Sequence, residues 1–477
     1  MNEKIRILFI GELYSSHFEN WLKIFTDFTH LFDIRGINLA PEGQHNCSFP
    51  VQAIINAPLL PDAEQVELSE QINQSDWSGY IPANLVLTET GIRNTLFIAK
   101  SFQPHIIHTL GLFPGSLFWL HCLRCMPKNE ELFAHWLIQA RGGPDIALNK
   151  DDPHHAQMIR EMVTQCDCLI ADNDLNYQYA QELGLSSNKI PNIGRIPGTG
   201  GFDPEPFQDV ALPSQKESLI IWPKGYCCIQ SDALPVIEAL RRVLPNFPQT
   251  KLIATAVTPE VRFWITRMLH PYMDRVEIYE RIPNADIQKI YRRARILLAP
   301  SLSDGVPNSM YEAMMTKMVP ILSPLDTLIP LFQDKVNTLY SDNLDPSSIE
   351  KSLILSLSDD RLCDNIAINN EKYFYKLACR KNIASKVVNL YEQIYKKQAS
   401  DKILSMNRSI LSLQRQIEKL NIENKDMKEL IEELNIENKD MKELILNYQA
   451  KIKELSALKK QCLLIIKSKL KKILSIN

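Results

Sequence analysis

The stretch richest in chemical content is Ala299-Pro-Ser-Leu-Ser-Asp304-Gly305-Val-Pro307-Asn308-Ser309-Met-Tyr311-Glu312-Ala-Met. An apolar run ends at Ser301, a short glycine-containing loop follows, and a helical pattern starts near Ser309. That order gathers unpaired backbone N–H groups and the positive end of a helix dipole at one point, which suits a diphosphate. Gly305 allows a ligand to come close to the backbone. Asp304 and Glu312 flank the helix start, so both carboxylates reach the same cleft. Ser309-x-x-Glu312 is equally a capping box, in which the two side chains satisfy the helix's own N–H groups. Spacing alone does not choose between the two, and a capping glutamate can still meet a ribose.

Other candidates sit at the ends of apolar runs. Lys224 follows "SLIIWP" (Ser218 to Pro223), where it reads as a cation for a phosphate or as a plain surface lysine. Arg141-Gly142-Gly143-Pro144-Asp145 follows "HWLIQA". Arg141 suits bidentate binding of a phosphate or an acidic acceptor, and Gly142 and Gly143 let backbone approach a ligand. His105 and His108 follow the strand register and read as structural. The ten cysteines lack the spacing of a secreted framework. Cys122/Cys125 and Cys166/Cys168 make a zinc site only if they converge; otherwise they are reduced thiols.

The elements that must hold these residues repeat twice. Ile5 to Ile10, "HIIHTL", "HWLIQA" and "CDCLIAD" are buried strands separated by helical patterns, which predicts a parallel sheet covered on both faces. A Gly/Pro-rich crossover, about 191–215, marks a linker. The alternation then restarts with "SLIIWP", "KLIATA", "RVEIYE", "RILLAPS" and "VPILS". The expected fold class is therefore α/β: two Rossmann-like, doubly wound domains facing across a cleft. Expected boundaries are 1–200 for the first domain, 201–216 for the linker, 217–375 for the second, and 376–400 for a closing helix packed back on the body. With 477 residues, 45% apolar composition and a formal net charge of -3, nothing points to nucleic acid as a partner. The first apolar run is too short for a secretory leader, and no stretch spans a bilayer; a cytoplasmic location is expected.

From Ile403 a heptad begins. Ile403, Ile410, Ile417, Asn424, Ile431, Asn438, Ile445 and Ile452 take position a, and Met406, Leu413, Leu420, Met427, Leu434, Met441, Tyr448 and Leu455 take position d. Isoleucine at a with leucine or methionine at d, and asparagine twice on the seam, predict a parallel dimeric coiled coil over 401–458, a rod of roughly 80 Å. The tail, 459–477, carries Lys459, Lys460, Lys467, Lys469, Lys471 and Lys472 with no acidic residue, and Leu463, Ile466, Leu470 and Ile473 share a face. It reads as a basic amphipathic segment for an anionic membrane surface, peripheral on its inner face, or as a solvated helix end.

The strand, "PSLSDGVPNSMYEAMM" and "VPILS" together resemble the donor-site signature of the family 4 retaining glycosyltransferases of the GT-B fold, glycosyl transferases group 1. "PHIIHTLGL", "CDCLIADNDLNYQYAQELGL", "IPGTGGFDPEPF" and "IPNADIQKIYRRARILLAPS" extend the likeness over roughly residues 1 to 395. The resemblance implies a nucleotide-sugar donor, UDP-linked by family habit, and a polysaccharide or lipid-linked oligosaccharide acceptor. It implies transfer of a hexosyl or N-acetylhexosaminyl group without a metal or other cofactor. It further implies that Glu312 holds the ribose, Asp304 lies beside the sugar, backbone near Asn308 and Ser309 meets the phosphates, and Lys224 is the first of two cations on the diphosphate. Two departures stand out. Gln230 and Ser231 lie where the second cation is usual, and Arg141-Gly142-Gly143-Pro144-Asp145 replaces a His-Gly-x-Asp turn. They keep two rivals open: a nucleotide-sugar epimerase of the same fold, and a catalytically degenerate dimeric scaffold.

Overall fold

The computed structural model describes residues 3–13, 15–39, 53–56, 89–126, 132–142, 145–433 and 439–474. Gly143, Pro144, Leu434 and Asn438, named above, lie outside them.

Two six-stranded sheets carry the first 393 residues. The first has the order β3-β2-β1-β4-β5-β6 and the second β12-β11-β10-β7-β8-β9. In the first, β1 (Ile5–Gly11), β2 (Phe32–Asn38), β3 (Ala53–Asn56), β4 (Ile106–Leu110), β5 (His135–Ala140) and β6 (Cys168–Ala171) pair in parallel. In the second, β7 (Glu217–Trp222), β8 (Lys251–Ala254), β9 (Val276–Ile278), β10 (Ala294–Leu298), β11 (Val319–Leu322) and β12 (Leu339–Tyr340) do the same. Near-continuous apolar runs suit central strands covered on both faces. Ile7, Leu8, Phe9 and Ile10 in β1, and Ile220, Ile221 and Trp222 in β7, are fully buried. Asp152, Asn173, Asp232 and Asp345 each cap the following helix with a side-chain oxygen, so those helix starts are written locally.

Strand order reverses beside β1 in one sheet and beside β7 in the other, and loops at the carboxyl ends of such strands line a crevice. Arg141 follows β5 directly, Asp172 follows β6, Lys224 lies two residues beyond β7, and the Asp304 loop follows β10.

The chain crosses between the sheets and later returns. Phe202 N–H donates to Ala378 O at 2.8 Å, and Arg380 N–H donates to Phe202 O at 2.9 Å, so the two crossings are hydrogen-bonded together. Arg380 pairs with Asp203 at 2.9 Å and donates to Asn20 O at 2.6 Å. One turn-rich path and one helix then hold the first domain. Tyr391 enters its core, where the hydroxyl bonds His108 Nδ1 at 2.7 Å and accepts from Trp21 Nε1 at 3.3 Å.

Helix Arg380–Glu433 runs unbroken through residue 400, so the segment read as a closing helix and the start of the heptad form one helix. The chain from Ile394 to Asn477 is a separate compact unit. Helix Lys439–Leu474 is a second element, and Lys459 Nζ donates to Asn421 Oδ1 at 2.9 Å. In one straight helix those residues would stand about 57 Å apart, so the chain folds back as a hairpin. Ile410 and Ile466 are buried in this unit, and Asn424 Oδ1 is buried without a hydrogen-bond partner.

Candidate active site

The donor-side half is built around helix Asn308–Met315. Its N-cap is Pro307, with no side-chain capping bond, and Met310 N–H closes the first turn on Pro307 O at 2.9 Å. The capping-box reading of Ser309 and Glu312 is therefore corrected. With Pro307 instead of Ser309 at the N-cap, the cap lies two residues earlier than that reading requires, which leaves Glu312 past the position a capping glutamate needs. The first N–H groups, on Asn308 and Ser309, are uncapped. Glu312 is half-buried and hydrogen-bonded to the Tyr291 hydroxyl; burial pushes its carboxyl up to about 7 against that bond.

Lys224 is buried, 7% exposed, and its ammonium lies 2.5 Å from Asp304 Oδ2 while also donating to Ser301 Oγ. Gln230 O accepts from Leu302 N–H at 2.8 Å, pinning the loop on which Asp304 sits. Among the described residues Lys224 is the only cation in ion-pair range of Asp304.

The facing half comes from the first domain. Asp145 Oδ2 accepts Arg141 N–H at 2.5 Å. Burial drives the Asp145 carboxyl up to about 7, opposed first by the N–H groups of Arg141 and Leu112. Arg141 itself, lowered by burial to about 10, stays charged at neutral pH. Its Nε and Nη2 atoms are buried with no hydrogen-bond partner. His17 Nδ1 lies 3.3 Å from Asn308 Nδ2, at the tip of the donor-side helix. Desolvation of its ring, and after it the Arg141 charge, hold that imidazole down at about 4, although His17 as a whole is exposed.

Asp172 ties the halves together. Its Oδ2 accepts Val306 N–H at 3.3 Å, and Oδ1 accepts from Asn173 Nδ2 at 2.8 Å and Asn176 Nδ2 at 3.3 Å. Asn176 Nδ2 also reaches Gly142 O at 2.9 Å. A side chain at Gly305 would place Cβ 2.5 Å from both Asp172 Oδ2 and Gly142 Cα. Burial, and secondarily the charge of Asp304, bring Asp172 up to about 6 against the Val306 N–H.

The structure thus gathers Lys224, Asp304, Gly305, Asn308, Ser309 and Glu312 on one wall and sets Arg141 and Gly142 on the other. Sequence reading missed His17, Asp172 and Tyr291. Asp172 was findable, as a carboxylate directly after a buried strand; His17 and Tyr291 carry no local signal. Among the described residues no three histidine, cysteine or acidic side chains converge as a metal site, Cys122, Cys125, Cys166 and Cys168 included.

The family model for glycosyl transferases group 1 matches residues 235–373. No curated protein matches the chain significantly. Among solved structures, the chain is similar to a sucrose-phosphate synthase from Thermosynechococcus elongatus, with 15% identity, 83% of this chain and 100% of that one covered, and a TM-score of 0.60. It is similar to Anabaena HepE in complex with UDP and glucose, at 13% identity, 82% and 100% coverage and a TM-score of 0.60. A putative UDP-N-acetylglucosamine 2-epimerase from Listeria monocytogenes shares the fold at 12% identity, 83% and 98% coverage and a TM-score of 0.55. The family match covers most of the second sheet's domain, and the chain as a whole has the GT-B fold of these structures.

Proposed function

We propose that the protein moves a sugar from a UDP-sugar to a hydroxyl of a polysaccharide or lipid-linked oligosaccharide acceptor, with retention of anomeric configuration and without a metal. The observation that carries this reading is the uncapped start of helix Asn308–Met315, aimed at the first domain beside the buried Lys224–Asp304 pair. As the bond from the anomeric carbon to the diphosphate breaks, negative charge grows on the leaving oxygen and positive charge on the sugar. The Asn308 and Ser309 N–H groups and Lys224 meet the first charge, and Asp304 lies beside the second. Glu312, oriented by Tyr291, takes the ribose hydroxyls. Gly305 and Gly142 allow the walls to close on the donor, which dries the site and strengthens each of these interactions. The acceptor hydroxyl attacks the anomeric carbon from the first domain and passes its proton to the departing diphosphate oxygen. Fold relatives crystallised with UDP support the choice of nucleotide.

The epimerase relative keeps one competing reading in play. Incubation with a panel of UDP-, GDP- and TDP-sugars, with and without acceptor glycans, separates them. Acceptor-dependent release of nucleoside diphosphate supports transfer; interconversion of the sugar without acceptor supports epimerisation. Binding of no donor at all supports a scaffold.

Homodimerisation through residues 403–458 is part of the proposal. The isoleucine-rich seam and the unpartnered Asn424 Oδ1 support a second chain as its further neighbour. Contact of residues 459–477 with an anionic membrane, and hence a peripheral location, is also proposed. Exposed Leu463, Leu464 and Ile465 beside Lys459, Lys460 and Lys467 support it, and no helix of the described residues is long and apolar enough to cross a membrane.

A further inference from the structure

We infer that the second cation of the diphosphate site is Arg141, supplied across the crevice by the first domain because the donor domain lacks one of its own. The inference rests on the donor-site reading above and adds which residue completes it.

Charge on the donor wall is the starting point. Lys224 is held by Asp304 at 2.5 Å, so the two side chains together are close to neutral. Gln230 and Ser231 add no charge. What remains there is the uncapped start of one two-turn helix, a partial positive charge. A departing diphosphate carries more negative charge than that wall offsets.

Arg141 has what is missing. It sits directly after β5, and its neighbour Gly142 abuts the donor loop, since a Cβ on Gly305 would lie 2.5 Å from Gly142 Cα. The charged and titratable groups around it are Glu12, His17, His108 and Asp145. Asp145 directs an oxygen to the Arg141 backbone N–H at 2.5 Å. His17 turns to Asn308 on the helix tip and is neutral, and among the described residues neither acid forms an ion pair with the guanidinium. Two buried N–H donors, Nε and Nη2, are left without an acceptor. Buried donors on a charge are costly to leave unmet, and a planar pair of this kind matches two phosphate oxygens at once. The anion site is thereby complete only when both domains contribute, which couples closure of the crevice to the presence of the diphosphate.

The test is calorimetric titration of the full-length protein and its Arg141→Ala, Arg141→Lys and Glu312→Gln variants with UDP and with uridine. Arg141→Ala should weaken UDP at least tenfold and leave uridine unchanged, and Arg141→Lys should recover part of the loss. Glu312→Gln should weaken both ligands, because its contact is to the ribose. Unaltered UDP affinity in Arg141→Ala overturns this inference and leaves the donor site standing. A wild-type protein that binds no nucleoside diphosphate overturns both. Should Arg141→Ala fail to fold by circular dichroism, Arg141→Lys decides alone, with several-fold weaker UDP binding expected and wild-type binding refuting.

Discussion

Replacing Gly305 with alanine isolates the meeting of the two walls from the folding of either one. The backbone there is not in the left-handed region, so alanine suits the donor domain itself. The new methyl, however, would stand 2.5 Å from Asp172 Oδ2, 2.5 Å from Gly142 Cα and 3.0 Å from Gly142 C, and two of those three are backbone of the other domain. Real contacts of this type need about 3.5 Å, so the walls must part by roughly 1 Å at this point. The hydrogen bond from Val306 N–H to the Asp172 carboxylate, already 3.3 Å long, does not survive that movement. A buried bond to a charged acceptor contributes about 1.5–3 kcal/mol. The closed state should accordingly lose roughly 10- to 150-fold in population. Steady-state kinetics with the accepted donor should show kcat/KM down by that factor, while the melting temperature stays within about 2 °C. Wild-type kcat/KM in Gly305→Ala would refute the idea that the site works closed at this contact, and a large fall in melting temperature would show that Gly305 supports the domain rather than the closure.

Glu312→Gln should weaken UDP binding yet stabilise the fold at alkaline pH. A carboxyl raised from 4.5 to about 7 holds its proton in the native state after the unfolded chain has lost it, so stability falls as pH climbs through that window. Melting curves should coincide at pH 4 and favour glutamine at pH 8, by up to ~3 kcal/mol; no gain at pH 8 would contradict the burial argument. Lys224→Ala should lower turnover about 100-fold, the scale of a lost transition-state donor, and full activity would remove Lys224 from the site. Deleting residues 403–477 should convert a dimer to a monomer by light scattering, and a truncated chain that stayed dimeric would place the interface elsewhere. Full-length protein should sediment with vesicles containing phosphatidylserine and lose this when Lys467, Lys469, Lys471 and Lys472 become glutamate; equal sedimentation of both would count against the tail.

The sheets were legible because their strands are unbroken apolar runs, as in "IRILFI" and "RILLAPS", set off by glycine, proline and polar caps. The donor loop was legible because its residues lie within one short stretch. What the sequence hid was partnership at long range. Nothing near Glu312 announces Tyr291, and nothing near Asn308 announces His17, 291 positions away. The Ser309-x-x-Glu312 pattern left capping open for a local reason, and Pro307, two residues before Ser309, took the cap instead. The heptads spoke of a seam but not of its occupant, because an isoleucine stripe is satisfied equally by another chain or by its own chain folded back.

Tyr391 has a bearing on biogenesis. Its ring and hydroxyl fill a space among Trp21, Phe25, Phe32 and His108, residues made hundreds of positions earlier. On the ribosome, the amino-terminal half must wait with a polar hole in its centre while the downstream half, whose sheet is contiguous in sequence, is synthesised and can finish first. The last-made domain is then the template on which the first-made one matures, and a nascent chain stalled before residue 391 would expose His108 to water and to chaperones.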